Sequence, residues 1–138
     1  MKMKAKPQVT TIPAAASNDA VAHFSKKMSF EADCWDVNYD MRNGVAEFVL
    51  VDVRSPELYE KCHALGAVNI PHSTMTAERM AEYPMDTLFI VYCTGPGCNG
   101  ADKGALKLSK LGRPVKIMIG GMVTWEDVER NPVVRNGQ

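Results

Sequence analysis

Two apolar patterns alternate along this chain, and their order predicts its architecture. Phe48, Val49, Leu50 and Val51 form a near-continuous, β-branched run within residues 47–53, bounded by Gly44 and Pro56. That is the signature of a strand buried on both faces. Residues 88–92 repeat it in Leu88, Phe89, Ile90, Val91 and Tyr92. Elsewhere the apolar positions fall three and four apart, as in Val21, Phe24 and Met28, or Ala101, Ala105, Leu108 and Leu111. This is the spacing of a helix with one apolar face. The signals predict a first helix capped by Ser17-Asn18-Asp19, a short strand within 30–35, and a second helix over 37–42, capped by Asp36 and stopped by Asn43-Gly44. Strand 47–53 follows, then a helix opened by Ser55-Pro56-Glu57, an extended piece at 67–70 and a helix over 76–83. Strand 88–92, helix 99–111, strand 115–119 and helix 122–130 complete the series. Strands separated by helices predict an α/β domain with a mainly parallel central sheet flanked by helices.

Composition narrows the picture. A chain of 138 residues with 46% hydrophobic content suits one domain with its own core. We expect a flexible N-terminal tail at 1–17, a helical extension packed on the domain at 18–46, the domain proper at 47–131 and a C-terminal tail at 132–138. Sixteen basic and sixteen acidic residues cancel, so no overall field draws in nucleic acid or an anionic membrane, and neither partner is expected. Lys2, Lys4, Lys6 and Ala14-Ala15-Ala16 outline a leader, but the stretch between is too short, polar and proline-broken for one. No run approaches the roughly 18 apolar residues of a membrane span. A cytoplasmic protein is the expectation. Cys34, Cys62, Cys93 and Cys98 make neither a dense disulfide framework nor a paired zinc motif, so reduced thiols and no metal are expected.

The chemistry concentrates at Cys93, where the strand ends and Thr94, Gly95, Pro96, Gly97, Cys98, Asn99 and Gly100 lead into the next helix. In parallel sheets ligands bind beyond the carboxyl ends of the strands, and Asp52 ends its own strand at the same edge. A helix N-terminus presents unpaired N–H groups, and glycines let a loop turn several of them toward one point, where an anion is stabilised. A thiolate is such an anion, and thiols in this setting titrate at roughly 3.5–7.5 rather than about 8.5. Cys93 is therefore a candidate nucleophile, the alternative being an inert buried cysteine beside a Gly-Pro turn.

Four motifs then carry a family resemblance: Val51-Asp52-Val53-Arg54 with Glu57, His63 through Pro71, Tyr92-Cys93 with its glycine loop, and Ile119-Gly120-Gly121 through Trp125. In this order the stretch from about Phe48 to Asn131 resembles the rhodanese-like domain. The resemblance implies a single compact α/β domain in which Cys93 takes sulfane sulfur from a donor such as thiosulfate. The resulting persulfide passes its sulfur to a thiol, cyanide or a protein acceptor, without a cofactor. It also gives Asp52 and Arg54 supporting roles, with Glu57 or Glu60 as the expected partner of Arg54. His63 is expected to fix its loop, and Gly120-Gly121 and Trp125 to supply a turn and a core anchor.

This chain departs from the family at the loop. Many members place arginine or lysine there, whereas Thr94 to Gly100 is uncharged and longer than the common form. Anion binding must then rest on the backbone N–H groups and hydroxyls available within the loop Thr94, Gly95, Pro96, Gly97, Cys98, Asn99 and Gly100. Lys103 and Lys107 read as the solvated face of the following helix. Cys98 is either a small apolar neighbour of the helix start or a resolving thiol, the latter requiring the two Cα atoms to lie within about 7 Å. Three functions compete: a sulfurtransferase, a non-enzymatic persulfide carrier or regulatory module, and a cysteine-loop phosphatase or arsenate reductase. The third is disfavoured, because phosphoryl transfer needs strong charge stabilisation that a neutral loop lacks.

Overall fold

The computed structural model of the protein describes residues 4–136. Five parallel strands form the central sheet: β1 (Glu31–Ala32), β2 (Val49–Asp52), β4 (Val68–Asn69), β5 (Phe89–Tyr92) and β6 (Val115–Met118). They lie in the order β1-β6-β5-β2-β4. The register sets Asp52 beside Tyr92 and Asp52 beside Asn69, so β5, β2 and the edge strand β4 end at one level. The helices are α1 (Ser17–Phe30), α2 (Cys34–Arg42), α3 (Pro56–Lys61), α4 (Ala77–Met80) and α5 (Gly100–Lys110). The α/β fold with a parallel sheet is as expected.

Every residue of β5 is buried because helices cover both faces of the sheet. One side packs Leu50, Ile90 and Tyr92 with Cys34, Val37 and Trp125, the other packs Val51, Phe89 and Val91 with Ile70, Met80 and Leu108. Each large apolar side chain removed from water in this way contributes about 1.5–3 kcal/mol before chain entropy is set against it. Trp125 is 1% exposed and its indole N–H donates to the Pro132 carbonyl at 2.8 Å, which makes it the expected core anchor.

Several local expectations are corrected. The first helix begins at Ser17 with Ala16 in the cap position, and no side chain caps it. Asp33 rather than Asp36 caps α2, accepting from the Asp36 N–H at 2.8 Å, so the helix starts three residues early and the strand before it shrinks to Glu31–Ala32. Ser55 does cap α3, accepting from Leu58 N–H with Pro56 in the first turn. Residues 4–16 are exposed and hold only a 3-10 turn at Val9–Thr11. Beyond 131, where a tail is expected, β7 (Val133–Arg135) pairs antiparallel with β3 (Cys62–Ala64) in a second, two-stranded sheet. Residues 1–3 and 137–138 of the expected tails lie outside the described residues.

Candidate active site

Cys93 follows the last residue of β5 and is 8% exposed, with its sulfur over the first turn of α5. A methyl group on Gly100 would lie 2.8 Å from the Cys93 Sγ and 3.6 Å from the Cys98 Sγ, so only glycine lets the helix start this close to both sulfurs. The first backbone bond of α5 runs from Lys103 N–H to the Asn99 carbonyl. The N–H groups of Gly100, Ala101 and Asp102 precede it, and among the described residues no side chain caps this end. Their dipoles favour a negative sulfur.

The loop itself is braced from the far side. Gly120 and Gly121 turn the chain with φ of 89° and 58°, and the carbonyls of Cys93 and Thr94 accept from Met122 and Val123 N–H at 3.0 and 2.9 Å. A side chain on Gly121 would collide with the Cys93 carbonyl oxygen. Gly97, at φ 87°, reverses the loop so that Cys98 N–H donates to the Gly95 carbonyl at 3.1 Å. Cys98 is thereby folded back onto the strand end. The two cysteines are joined as a disulfide with Cα atoms 6.5 Å apart, which corrects the expectation of four reduced thiols and meets the distance a resolving pair requires. Cys98 is exposed where Cys93 is not.

Two clefts open on the loop. One of about 250 Å³ is walled by Gly95, Pro96, Gly97, Asp102 and the Gly120–Gly121 turn. The other, about 410 Å³, is walled by Arg54, Ser55, His72, Thr94, Asn99 and Gly100. Cys93 and Cys98 line both. A larger groove of about 850 Å³ lies elsewhere, between α1 and α2, where Phe24, Met28, Trp35 and Tyr39 are largely exposed. Size does not mark the chemistry here, since that groove holds no thiol.

Asp52 is 0% exposed and sits beneath the site. Arg54 donates to its carboxylate from Nε at 3.0 Å and from Nη2 at 2.7 Å, and Tyr92 donates its hydroxyl at 2.9 Å. The expected pairing of Arg54 with Glu57 or Glu60 is therefore wrong. The chain doubles back within two residues, and the same Nη2 also donates to the Cys62 carbonyl at 2.6 Å. Burial works against the Arg54 charge, but the bond to Asp52 and its charge outweigh it and hold the guanidinium pKa up. Burial, with the Asp52 charge, also pushes the Tyr92 phenol up. This cluster ties the ends of β2 and β5 together. His63 fixes its loop as expected, with Nδ1 2.7 Å from the Tyr59 carbonyl and its ring stacked on Tyr59.

His72 carries no local signal in the sequence, where it is one polar residue after Ile70-Pro71. It lines the 410 Å³ cleft with its Nδ1 buried and unpartnered among the described residues. Burial, then the charges of Lys107 and Lys103, lower its pKa and favour the neutral ring. Lys107 is also no mere solvating residue, since its ammonium donates to the His72 carbonyl at 2.7 Å. The signal that finds His72 is topological: it lies just past β4, which pairs with β2, the strand that neighbours Cys93's own.

A cysteine at a strand end over a helix N-terminus, in a parallel five-stranded sheet, defines a thiol site of the α/β class. The family model of the rhodanese-like domain matches residues 36–127, and the chain belongs to that family. It is 36% identical to the BH2092 protein of Bacillus halodurans, whose crystal structure superposes with a TM-score of 0.84 over 88% of each chain. It is 38% identical over 84 residues to the HTH-type transcriptional regulator Rv0324 of Mycobacterium tuberculosis, a match that covers 61% of this chain but 37% of the regulator. A thiosulfate sulfurtransferase from Pseudomonas aeruginosa shares the fold, with a TM-score of 0.62 at 16% identity over 83% of this chain and 22% of that one. No helix among the described residues is long and apolar enough to cross a membrane.

Proposed function

We propose that the protein is a sulfurtransferase in which Cys93 carries sulfane sulfur as a persulfide. The observation that supports this reading best is the placement of Cys93 Sγ over Gly100, at an uncapped helix start with clefts on both sides of the loop. With the site reduced, the Cys93 thiolate attacks the outer sulfur of thiosulfate, the sulfur–sulfur bond of the donor breaks, and sulfite leaves with the electron pair. An acceptor nucleophile, cyanide or a thiol, then takes the outer sulfur and returns Cys93 as thiolate. Thr94, Gly95, Gly97, Asn99 and Gly100 form the anion cradle through N–H groups and the Thr94 hydroxyl, and Pro96, which has no N–H, shapes the turn between them. Asp52 and Arg54 hold the strand ends beneath it, and neutral His72 stands in the wider cleft as a proton acceptor for an incoming thiol. We place this activity in the cytoplasm.

The similarity to a transcriptional regulator favours a second reading, a regulatory module that holds the persulfide without turnover. One experiment separates them. Pre-reduced protein given thiosulfate and cyanide is expected to release sulfite and to form thiocyanate over many cycles. A single equivalent of sulfite with the sulfur kept on the protein, and neither thiocyanate nor sulfide released, would establish the carrier instead, and no sulfite at all would remove both readings.

A further inference from the structure

We propose that Cys98 resolves the Cys93 persulfide, so that this chain reduces sulfane sulfur to sulfide and is recharged by a protein bearing an exposed dithiol. This inference rests on the sulfur-transfer reading above, and it gives that site a second product. The two Cα atoms stand 6.5 Å apart, inside the range a disulfide bridges without backbone movement. Gly97 at φ 87° and the Cys98 N–H to Gly95 carbonyl bond hold Cys98 in that position. The other two thiols are committed elsewhere. Cys34 is buried against the Ile119 and Gly121 carbonyls, and Cys62 donates to the Glu126 carboxylate at 2.9 Å.

The step balances without an external oxidant. The Cys98 thiolate attacks the Cys93 Sγ of the persulfide, the bond from that sulfur to the outer sulfur breaks, and hydrosulfide leaves with the electron pair. The outer sulfur is reduced to sulfide and the two thiols are oxidised to the disulfide. The difference in exposure then sets the direction of recharging. Cys93 is 8% exposed and Cys98 is open to solvent, so an incoming thiolate reaches the Cys98 sulfur. Cys93 departs as the thiolate over the N–H groups of Gly100, Ala101 and Asp102, whose dipoles stabilise the leaving anion. The second thiol of the reductant closes its own disulfide and frees Cys98. A reductant of this kind needs to touch only the exposed rim of the loop.

The test uses the whole chain, reduced, freed of reductant and mixed anaerobically with thiosulfate and no other thiol. Wild-type protein is expected to yield one sulfite and one sulfide per chain, to lose the mass of two hydrogens, and to give a peptide joining Cys93 to Cys98. Cys98→Ser is expected to yield sulfite without sulfide and to gain the mass of one sulfur. That gain also reports that the variant is folded and charged. Wild-type protein that keeps the added sulfur with Cys98 free would overturn the resolving role while leaving sulfur transfer intact, as would sulfide release from Cys98→Ser at the wild-type rate. Absence of sulfite would instead remove the transfer reading, and this inference with it.

Discussion

The segment at 119–128 touches two cysteine environments that are opposite in character. On one side, Cys34 donates to the Ile119 and Gly121 carbonyls, and Cys62 to Glu126, so both thiols face oxygen. Burial, then the charges of Glu129 and Asp33, push Cys34 up to about 12. Burial, then the bond and charge of Glu126, push Cys62 up to about 11. On the other side, the same segment donates N–H groups to the Cys93 and Thr94 carbonyls and leaves the Cys93 sulfur to the start of α5. Oxygen acceptors keep a thiol protonated, and N–H donors favour its anion. Burial and acceptor oxygens hold Cys34 and Cys62 protonated, whereas the Cys93 sulfur stands over the N–H groups that open α5.

The largest effect tests that difference directly: Cys93→Ala is expected to abolish thiocyanate formation while leaving the thermal midpoint close to wild type. Undiminished turnover in that variant would assign the nucleophile elsewhere. Next comes the floor beneath both environments. Arg54→Ala leaves the Asp52 carboxylate buried without its cation, and the loss is expected to be about 3–5 kcal/mol in chemical denaturation. Glu57→Gln, on an exposed residue, is expected to change stability by no more than about 0.5 kcal/mol.

A smaller gain is expected from charging the cradle. Thr94→Arg adds a charged donor to the wider cleft, and a charge-assisted bond is worth about 1 kcal/mol more than a neutral one, so KM for thiosulfate should fall about fivefold. The same change at Gly97 is a poorer design because φ there is 87°. The smallest effect is read by alkylation of the reduced protein at neutral pH, which is expected to mark Cys93 and Cys98 before Cys34 and Cys62. The raised values of Cys34 and Cys62 stabilise the fold below about 8.5, where an unfolded thiol titrates, and that stability is lost as pH rises toward 11 and 12. Peptide mapping that finds Cys34 labelled first would reverse the comparison.

The strands that carry the site were legible because both are buried on two faces, and a continuous β-branched run between turn residues fits little except a buried strand. Cys93 was legible because a strand end, glycines and a helical period fall in sequence there. What escaped depends on contacts between distant segments. Nothing local shows that Arg54 turns back to Asp52 rather than forward to the acids of α3. Val133–Arg135 has too few residues for a strand pattern, and its partner Cys62–Ala64 is as short. Asp33 and Asp36 are both competent caps, and the burial of Cys34 and Val37 against the core decides for the earlier one. His72 enters the cleft through strand order, which no window of sequence displays.

The brace from Met122 and Val123 to the Cys93 loop also bears on how the chain is made. A ribosome delivers Cys93 and Cys98 well before the Gly120–Gly121 turn, and β1 waits at the sheet edge until β6 has been synthesised to pair with it. A nascent chain arrested before residue 119 thus holds both thiols without the frame that shapes their loop. Competence arrives only once residues 119–123 have emerged, and a product truncated before them is expected to carry sulfhydryls with the reactivity of an unfolded peptide.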